Sequence, residues 1–270
     1  MSRSLPRPKK RLGQHFLVDQ NVVRKIVALA DLQPSETVLE IGPGTGALTR
    51  ALCAAAGSVI AVELDAALAA RLSQALATCS NLDLRVGDAM EFPYATLPEG
   101  TVVVSNLPYY LSTPVLFKLL AARGRIGRMV LMLQTEVARR LAAKPGTKDY
   151  GILSVLTQFW AVPQLAFRVS ASCFRPRPEV GSTVISLKIR PVPPAQVADE
   201  PVFVATVRAA FAHRRKTLAN SLRDEGWPAD RVAAALERAK IQGTRRAETL
   251  TLTEFAALAN ALHQELMADG

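Results

Sequence analysis

The chain has 270 residues, 49% of them hydrophobic and 21% charged, which is enough apolar material for one large domain plus a small one and excludes a disordered scaffold. Its 33 Lys and Arg outnumber 23 Asp and Glu for a formal charge of +10, which favours a polyanionic partner such as nucleic acid, although a solvated basic surface carries charge equally well. Three scattered cysteines, Cys53, Cys79 and Cys173, exclude a disulfide framework or a CxxC metal site. No apolar h-region follows MSRSLPRPKKR and no run approaches ~18 apolar residues, so the expectation is a cytoplasmic protein with no metal and no membrane segment.

Behind the basic N-terminus, Asn21 to Leu32 carries apolar residues at Val22, Val23, Ile26, Val27, Leu29 and Ala30, the spacing of an amphipathic helix. Five β-branched runs then alternate with Ala/Leu-rich helical stretches: Thr37 to Ile41, Ser58 to Glu63, Leu82 to Val86, Thr101 to Asn106 and Met129 to Gln134. That rhythm predicts a parallel α/β sheet. Leu165 to Val169 and Thr183 to Ile189 lack a long helix between them and are expected to add antiparallel strands at an edge. Pro191 to Pro201 reads as a linker, and Val202 to Leu222, Asp230 to Ala239 and Thr253 to Met267 as helices of a compact appendage. The division expected is 1–195 and 196–270.

Strand Thr37 to Ile41 runs into Gly42-Pro43-Gly44-Thr45-Gly46-Ala47 and then a helix, so a glycine-rich turn lies at the carboxyl end of the first strand, where backbone can approach a ligand closely. The pattern fits S-adenosylmethionine and a dinucleotide equally. Glu63 ends the second strand, where a carboxylate can accept from ribose hydroxyls. Asp88, after the third, is either an acceptor for an adenine amino group or a turn-forming Asp.

Asn106-Leu107-Pro108-Tyr109 after the fourth strand is the most specific signal. The lone pair of an adenine N6 is delocalised into the ring, and acceptors that hold its hydrogens and let the nitrogen pyramidalise make it a better nucleophile. The Asn106 Oδ1 and the Pro108 carbonyl are placed to be those acceptors, and Tyr109 offers a flat face for an extruded base. No general base is required, because the methylated nitrogen is acidic enough to lose its proton to water.

With KKRLGQHFLVD, EIGPGTG, ELD, GDA, NLPYY and FRPRPEVGSTV in that order, the sequence resembles the small-subunit (16S) ribosomal RNA adenine N6,N6-dimethyltransferases, the family of the enzyme whose loss gives kasugamycin resistance. The resemblance spans nearly the whole chain. It implies a Rossmann-like S-adenosylmethionine-dependent methyltransferase domain with a small C-terminal all-helical domain. It also implies dimethylation of two adjacent adenosines in a hairpin loop near the 3′ end of small-subunit rRNA, within a 30S or pre-30S particle and by a monomer. His15 and Leu17 are then expected to close over the methyl donor, Gly42 and Gly44 to approach its methionine part, Glu63 to hold ribose and Asp88 adenine. Asn106 spans donor and acceptor, Leu107 and Pro108 continue the catalytic loop, Tyr109 stacks on the target base, and Phe174 resembles the aromatic on the base's opposite face, though it reads equally as core. His15 departs from the family's usual GQNF, where Asn is common.

Two basic segments bear the expected RNA contacts. His213, Arg214, Arg215 and Lys216 interrupt the apolar pattern of AFAHRRKTLANSL, and Lys9, Lys10 and Arg11 lie in the N-terminal tail; each set suits phosphate, and each also suits a solvated surface. The rivals are a large-subunit rRNA adenine methyltransferase of the macrolide-resistance type, a non-catalytic ribosome-assembly factor and a dinucleotide oxidoreductase.

Overall fold

The computed structural model describes residues 14–267; the tail that holds Lys9, Lys10 and Arg11 lies outside them. In chain order the first unit contains β1 (Phe16–Leu17), α1 (Gln20–Ala30), β2 (Thr37–Ile41), α2 (Ala47–Ala55), β3 (Ser58–Glu63), α3 (Ala66–Ala75), β4 (Leu82–Val86), β5 (Thr101–Asn106), α4 (Ser112–Ala121) and β6 (Ile126–Gln134). After α5 (Thr135–Leu141) and α6 (Ile152–Trp160) come β7 (Ala161–Val169), β8 (Phe174–Arg175) and β9 (Ser182–Ile189), then α7 (Glu200–Phe211), α8 (Leu218–Asp224), α9 (Ala229–Arg238) and α10 (Leu252–Met267).

Among the described residues, seven strands form a sheet in the order β4-β3-β2-β5-β6-β9-β7. β2 to β6 pair in parallel, and β9 runs antiparallel to β6 with Met132 opposite Val184. The five alternating runs form the expected strands and the two later ones lie at the far side of the sheet. Chain order reverses between β2 and β5, and this switch point is where the carboxyl ends of parallel strands splay and leave a crevice. Val38 and Leu39 of β2 and Val102 to Val104 of β5 are fully buried, so the strands beneath the crevice are anchored from both faces.

α1 packs on this sheet because Val22, Val23, Ile26 and Ala30 fall on one side of it and join a core with Val38, Val59 and Val104. Its start is fixed by Asp19, whose carboxylate accepts from the Asn21 and Val22 amides. Directly before α1, the two residues of β1 pair antiparallel with β8, Phe16 opposite Arg175 and Leu17 opposite Phe174.

The chain divides into two compact units: one runs to Ala138 and includes Val162–Ile189, and the other combines Arg139–Ala161 with the residues from Arg190 onward. The second unit thus takes in α6, which lies before residue 195. Phe159 of α6 stacks at 4.2 Å on Phe203 of α7, and Tyr150 donates to the Leu250 carbonyl. These contacts join segments far apart in sequence. Among the described residues no helix is long and apolar enough to cross a membrane.

The expected helix over Val202 to Leu222 is two helices. α7 ends at Phe211 and α8 starts at Leu218, and His213 to Lys216 form the turn between them. Four successive polar residues wound into a helix would place some of them on the buried side, and a turn keeps them in water. The Ser221 hydroxyl donating to the Ala209 carbonyl ties α8 back onto α7.

Candidate active site

An open cleft of about 940 Å³, a figure that includes solvent at its mouth, lies at the switch point; its lining draws on the ends of β2, β3 and β5, the turn after β2, the loop after β5, and β1. The turn carries three glycines with φ of +69°, +57° and +81° at Gly42, Gly44 and Gly46, a region costly for any residue with a Cβ. At Gly46 a Cβ would also stand 2.2 Å from the Leu72 side chain. The Gly44 amide donates to Glu63 Oε2 at 3.1 Å and the Asp65 amide to Oε1 at 2.9 Å, which locks the Glu63 carboxylate at the end of β3 beside the turn. Burial nonetheless raises the Glu63 pKa, outweighing those two amides.

Asn106, the last residue of β5, donates from Nδ2 to the His15 carbonyl at 3.4 Å, leaving Oδ1 as the acceptor end of its amide. The His15 ring is fixed from the other side: Nδ1 lies 2.9 Å from the Pro176 carbonyl, and since a carbonyl only accepts, Nδ1 carries the proton. His15 therefore acts on Asn106 through its backbone, as the family's usual Asn also can. Its ring lies 5.5 Å from that of Tyr109. Tyr109 is half-buried, and its hydroxyl shares a 2.8 Å hydrogen bond with the buried Ser182 at the start of β9; burial raises the phenol's pKa, with Ser182 working against it.

Two sequence-predicted residues, Pro108 and Asp88, are engaged differently from expectation, and a third, Phe174, fits both of its readings. The Pro108 carbonyl already accepts from the Leu111 amide at 3.0 Å and the Ser112 hydroxyl at 3.1 Å, which engages both of its lone pairs. Asp88 is not among the residues lining the cleft, although its neighbours Gly87 and Ala89 are; its Oδ1 accepts from the Met90 amide at 2.8 Å, the hydrogen bond of an Asx turn. Phe174 is fully buried and belongs to the hydrophobic core while also lining the cleft, so both of its sequence readings have a structural basis. Leu17, Gly42, Gly44, Glu63, Asn106, Leu107, Pro108 and Tyr109 all line the same cleft.

Sequence reasoning missed Glu40, Phe16, Leu64 and Tyr110, which also line it. Tyr110 and Leu64 are exposed at 49% and 43%, and the second tyrosine of NLPYY was the available signal for Tyr110. Among the described residues no cluster of three or more His, Cys, Asp or Glu is placed to hold a metal.

In the second unit Arg214 and Arg215 are exposed in the α7–α8 turn. Lys216 is instead paired with Asp224, and His213 lies 3.2 Å from Glu225.

Residues 6–264 match the model of the family described as ribosomal RNA adenine dimethylase. The chain belongs to this family. It is 46% identical over 266 residues to ribosomal RNA small subunit methyltransferase A of Moorella thermoacetica, an alignment covering 94% of this chain and 92% of that one. A protein of the same name from Geobacillus kaustophilus is 45% identical over 268 residues, covering 94% and 90%. Among solved structures, a dimethyladenosine transferase from Plasmodium falciparum superposes with a TM-score of 0.79 at 26% identity, over 90% of this chain and 96% of that one. The 23S rRNA methyltransferase ErmE superposes with a TM-score of 0.69 at 28% identity, over 92% and 100%. This membership makes the chain an rRNA adenine methyltransferase with the Rossmann-like fold expected of it.

Proposed function

We propose that the protein transfers methyl groups from S-adenosylmethionine to N6 of two adjacent adenosines in a hairpin loop near the 3′ end of small-subunit rRNA, giving N6,N6-dimethyladenosine. The observation that carries this reading is the orientation of Asn106, whose Nδ2 is occupied by His15 so that Oδ1 is left to accept from an amine. The choice of subunit rests on the names of relatives at 45–46% identity, against 28% for the large-subunit enzyme.

The cleft suits this donor. Glu63 has a locked carboxylate with acceptor capacity left for ribose hydroxyls, Gly42 and Gly44 admit the methionine part to the backbone, and at Gly87 even an added Cβ would meet nothing within 4 Å. Leu17 and the His15 segment would close one wall, and Asp88 keeps a second oxygen for the adenine amine. When bound, S-adenosylmethionine supplies an electrophilic methyl carbon.

The protein's part is to orient and polarise the acceptor. Asn106 Oδ1 takes one N6 hydrogen and draws the nitrogen out of conjugation. The second acceptor falls to the Leu107 carbonyl, on which no hydrogen bond among the described residues ends, because that of Pro108 is engaged. Tyr109, held by Ser182, presents a face to the base, and Phe174 is the aromatic on the base's opposite face. Proximity of the two reactants then supplies most of the rate, and the product's proton leaves to water.

Arg214 and Arg215, together with Lys9, Lys10, Arg11 and to a lesser degree Lys216, contact rRNA phosphates of a 30S or pre-30S particle in the cytoplasm. The protein acts as a monomer whose helical residues from 196 onward form the RNA-binding part. Mass mapping of rRNA from cells lacking the protein tests the assignment: loss of dimethylation from the small-subunit hairpin is expected, and a change confined to large-subunit rRNA would transfer the protein to the macrolide-resistance type.

A further inference from the structure

Residues 174–182 join the two aromatic walls between which the target base is proposed to lie. At one end Phe174 lines the cleft, and at the other Ser182 shares the 2.8 Å hydrogen bond that holds the Tyr109 hydroxyl. The segment carries two arginines, Arg175 and Arg177, both exposed, and they are differently engaged. Arg175 Nη1 donates to the Ser172 carbonyl at 3.1 Å and to the Phe174 carbonyl at 2.8 Å, which ties β8 to the turn before it. No hydrogen bond or ion pair among the described residues engages the Arg177 guanidinium, not even with the exposed Glu179 two positions on.

The backbone around Arg177 is nevertheless stiff. Pro176 and Pro178 flank it, each locking its own φ, and Pro178 also disfavours helical backbone at Arg177. Pro178 is buried, and the Pro176 carbonyl accepts from the His15 ring at 2.9 Å. An arginine on so fixed a backbone loses less freedom on meeting an anion than one on a loose tail does. The cleft beside it offers no cation of its own: its lining includes the carboxylates Glu40 and Glu63 and neither Lys nor Arg. A base can enter such a cleft, but the phosphates that carry the base have to be met at its rim.

We infer that Arg177 is a phosphate clamp at the rim of the cleft, which pairs with a backbone phosphate flanking the extruded adenosine and so registers that nucleotide between Tyr109 and Phe174. This rests on the reading that the cleft takes an adenosine of rRNA. The planar guanidinium can meet two phosphate oxygens at once. Arg214 and Arg215 belong to the second unit and serve the hold on RNA at large, whereas Arg177 acts on the nucleotide that reacts.

The test uses small subunits reconstituted with rRNA in which each phosphate flanking a target adenosine is replaced in turn by an uncharged methylphosphonate, with methyl transfer by the full chain read as kcat/KM. On unmodified subunits Arg177→Ala should lower kcat/KM about 10- to 100-fold, the range for a hydrogen bond to a charged group. Its calorimetric affinity for S-adenosylmethionine should stay at the parent's value. Arg177→Lys keeps the charge and should recover most of the loss. For the parent, one methylphosphonate position should cost a similar factor, and at that position Arg177→Ala should cost nothing further. The proposal is overturned by Arg177→Ala working at the parental rate, by Arg177→Lys losing as much as Arg177→Ala, or by variant and methylphosphonate losses that multiply at every position. A loss of S-adenosylmethionine affinity that matches the loss of transfer also overturns it, by assigning Arg177 to the shape of the donor cleft. Should Arg177→Ala not fold, a parent indifferent to every methylphosphonate overturns it alone. Failure of the parent to methylate unmodified small subunits would instead defeat the reading of function.

Discussion

The side-chain amide of Asn106 is turned by the backbone of His15, whose carbonyl receives its Nδ2 hydrogen across 3.4 Å. The orientation of a residue at the end of β5 is thus set by a segment that precedes the first helix. Replacing Asn106 by Ala removes the acceptor and leaves the donor's other contacts in place. Methyl transfer to small subunits is expected to drop about 10²- to 10³-fold, as for loss of one preorganised polar group, while calorimetric affinity for S-adenosylmethionine changes only a few-fold. Unchanged turnover would remove Asn106 from the chemistry.

The role proposed for Tyr109 divides between its ring and its hydroxyl. Tyr109→Phe keeps the ring and loses the 2.8 Å bond to Ser182, and should cost about 1 kcal/mol in kcat/KM for RNA. Tyr109→Ala also loses the stacking face and should cost a further ~1–3 kcal/mol. Equal losses in the two variants would mean that the hydroxyl, and not the ring, is what matters.

The basic turn between α7 and α8 is not electrostatically uniform. Arg214 and Arg215 face solvent, whereas Lys216 is held by Asp224. Alanine at either arginine is expected to weaken binding to small-subunit RNA and to reduce the slope of log affinity against log salt by about 1. Lys216→Ala should do less of both. Filter binding across a potassium chloride series makes the comparison, and a Lys216 effect equal to that of the arginines would contradict it.

In the second unit the Arg245 guanidinium lowers the Glu254 pKa to about 2, with the Thr251 amide and hydroxyl assisting. A carboxylate depressed in the folded state stabilises above its unfolded pKa of about 4.5, and that contribution is lost as pH falls toward 2. Urea unfolding at pH 7, 4.5 and 3 should show Glu254→Gln less stable than the parent at pH 7, by a margin on the order of 1–3 kcal/mol. The margin should shrink at pH 3; a gap independent of pH would assign the loss to packing.

The inner strands of the sheet were legible because a parallel strand buried on both faces is a short apolar run with its own turn signal, while the exposed edge strand β4 was legible from its place in the alternation of strands and helices. Glu63, the glycines and Asn106 were legible because each sits at a strand end, where the chemistry is displayed. β1 and β8 were not, since two residues carry no period and their pairing is entirely long-range. Glu40 was hidden for a related reason: a lone carboxylate within a strand reads as a solvent-facing position, and only the packing of α2 over β2 shows that it faces inward. The membership of α6 in the second unit depends on Phe159 meeting Phe203, a contact no local pattern announces. The break at His213 to Lys216 was obscured by apolar residues on both sides that keep helical spacing across it.

The pairing of Leu17 with Phe174 sets an order of assembly during synthesis. The β1 wall of the cleft is made before the rest of it, yet the strand that fixes it is made only after the glycine turn, the Asn106 loop and all five parallel strands have emerged. A nascent chain stalled before Phe174 therefore lacks a completed cleft, which closes only when the first unit is nearly finished.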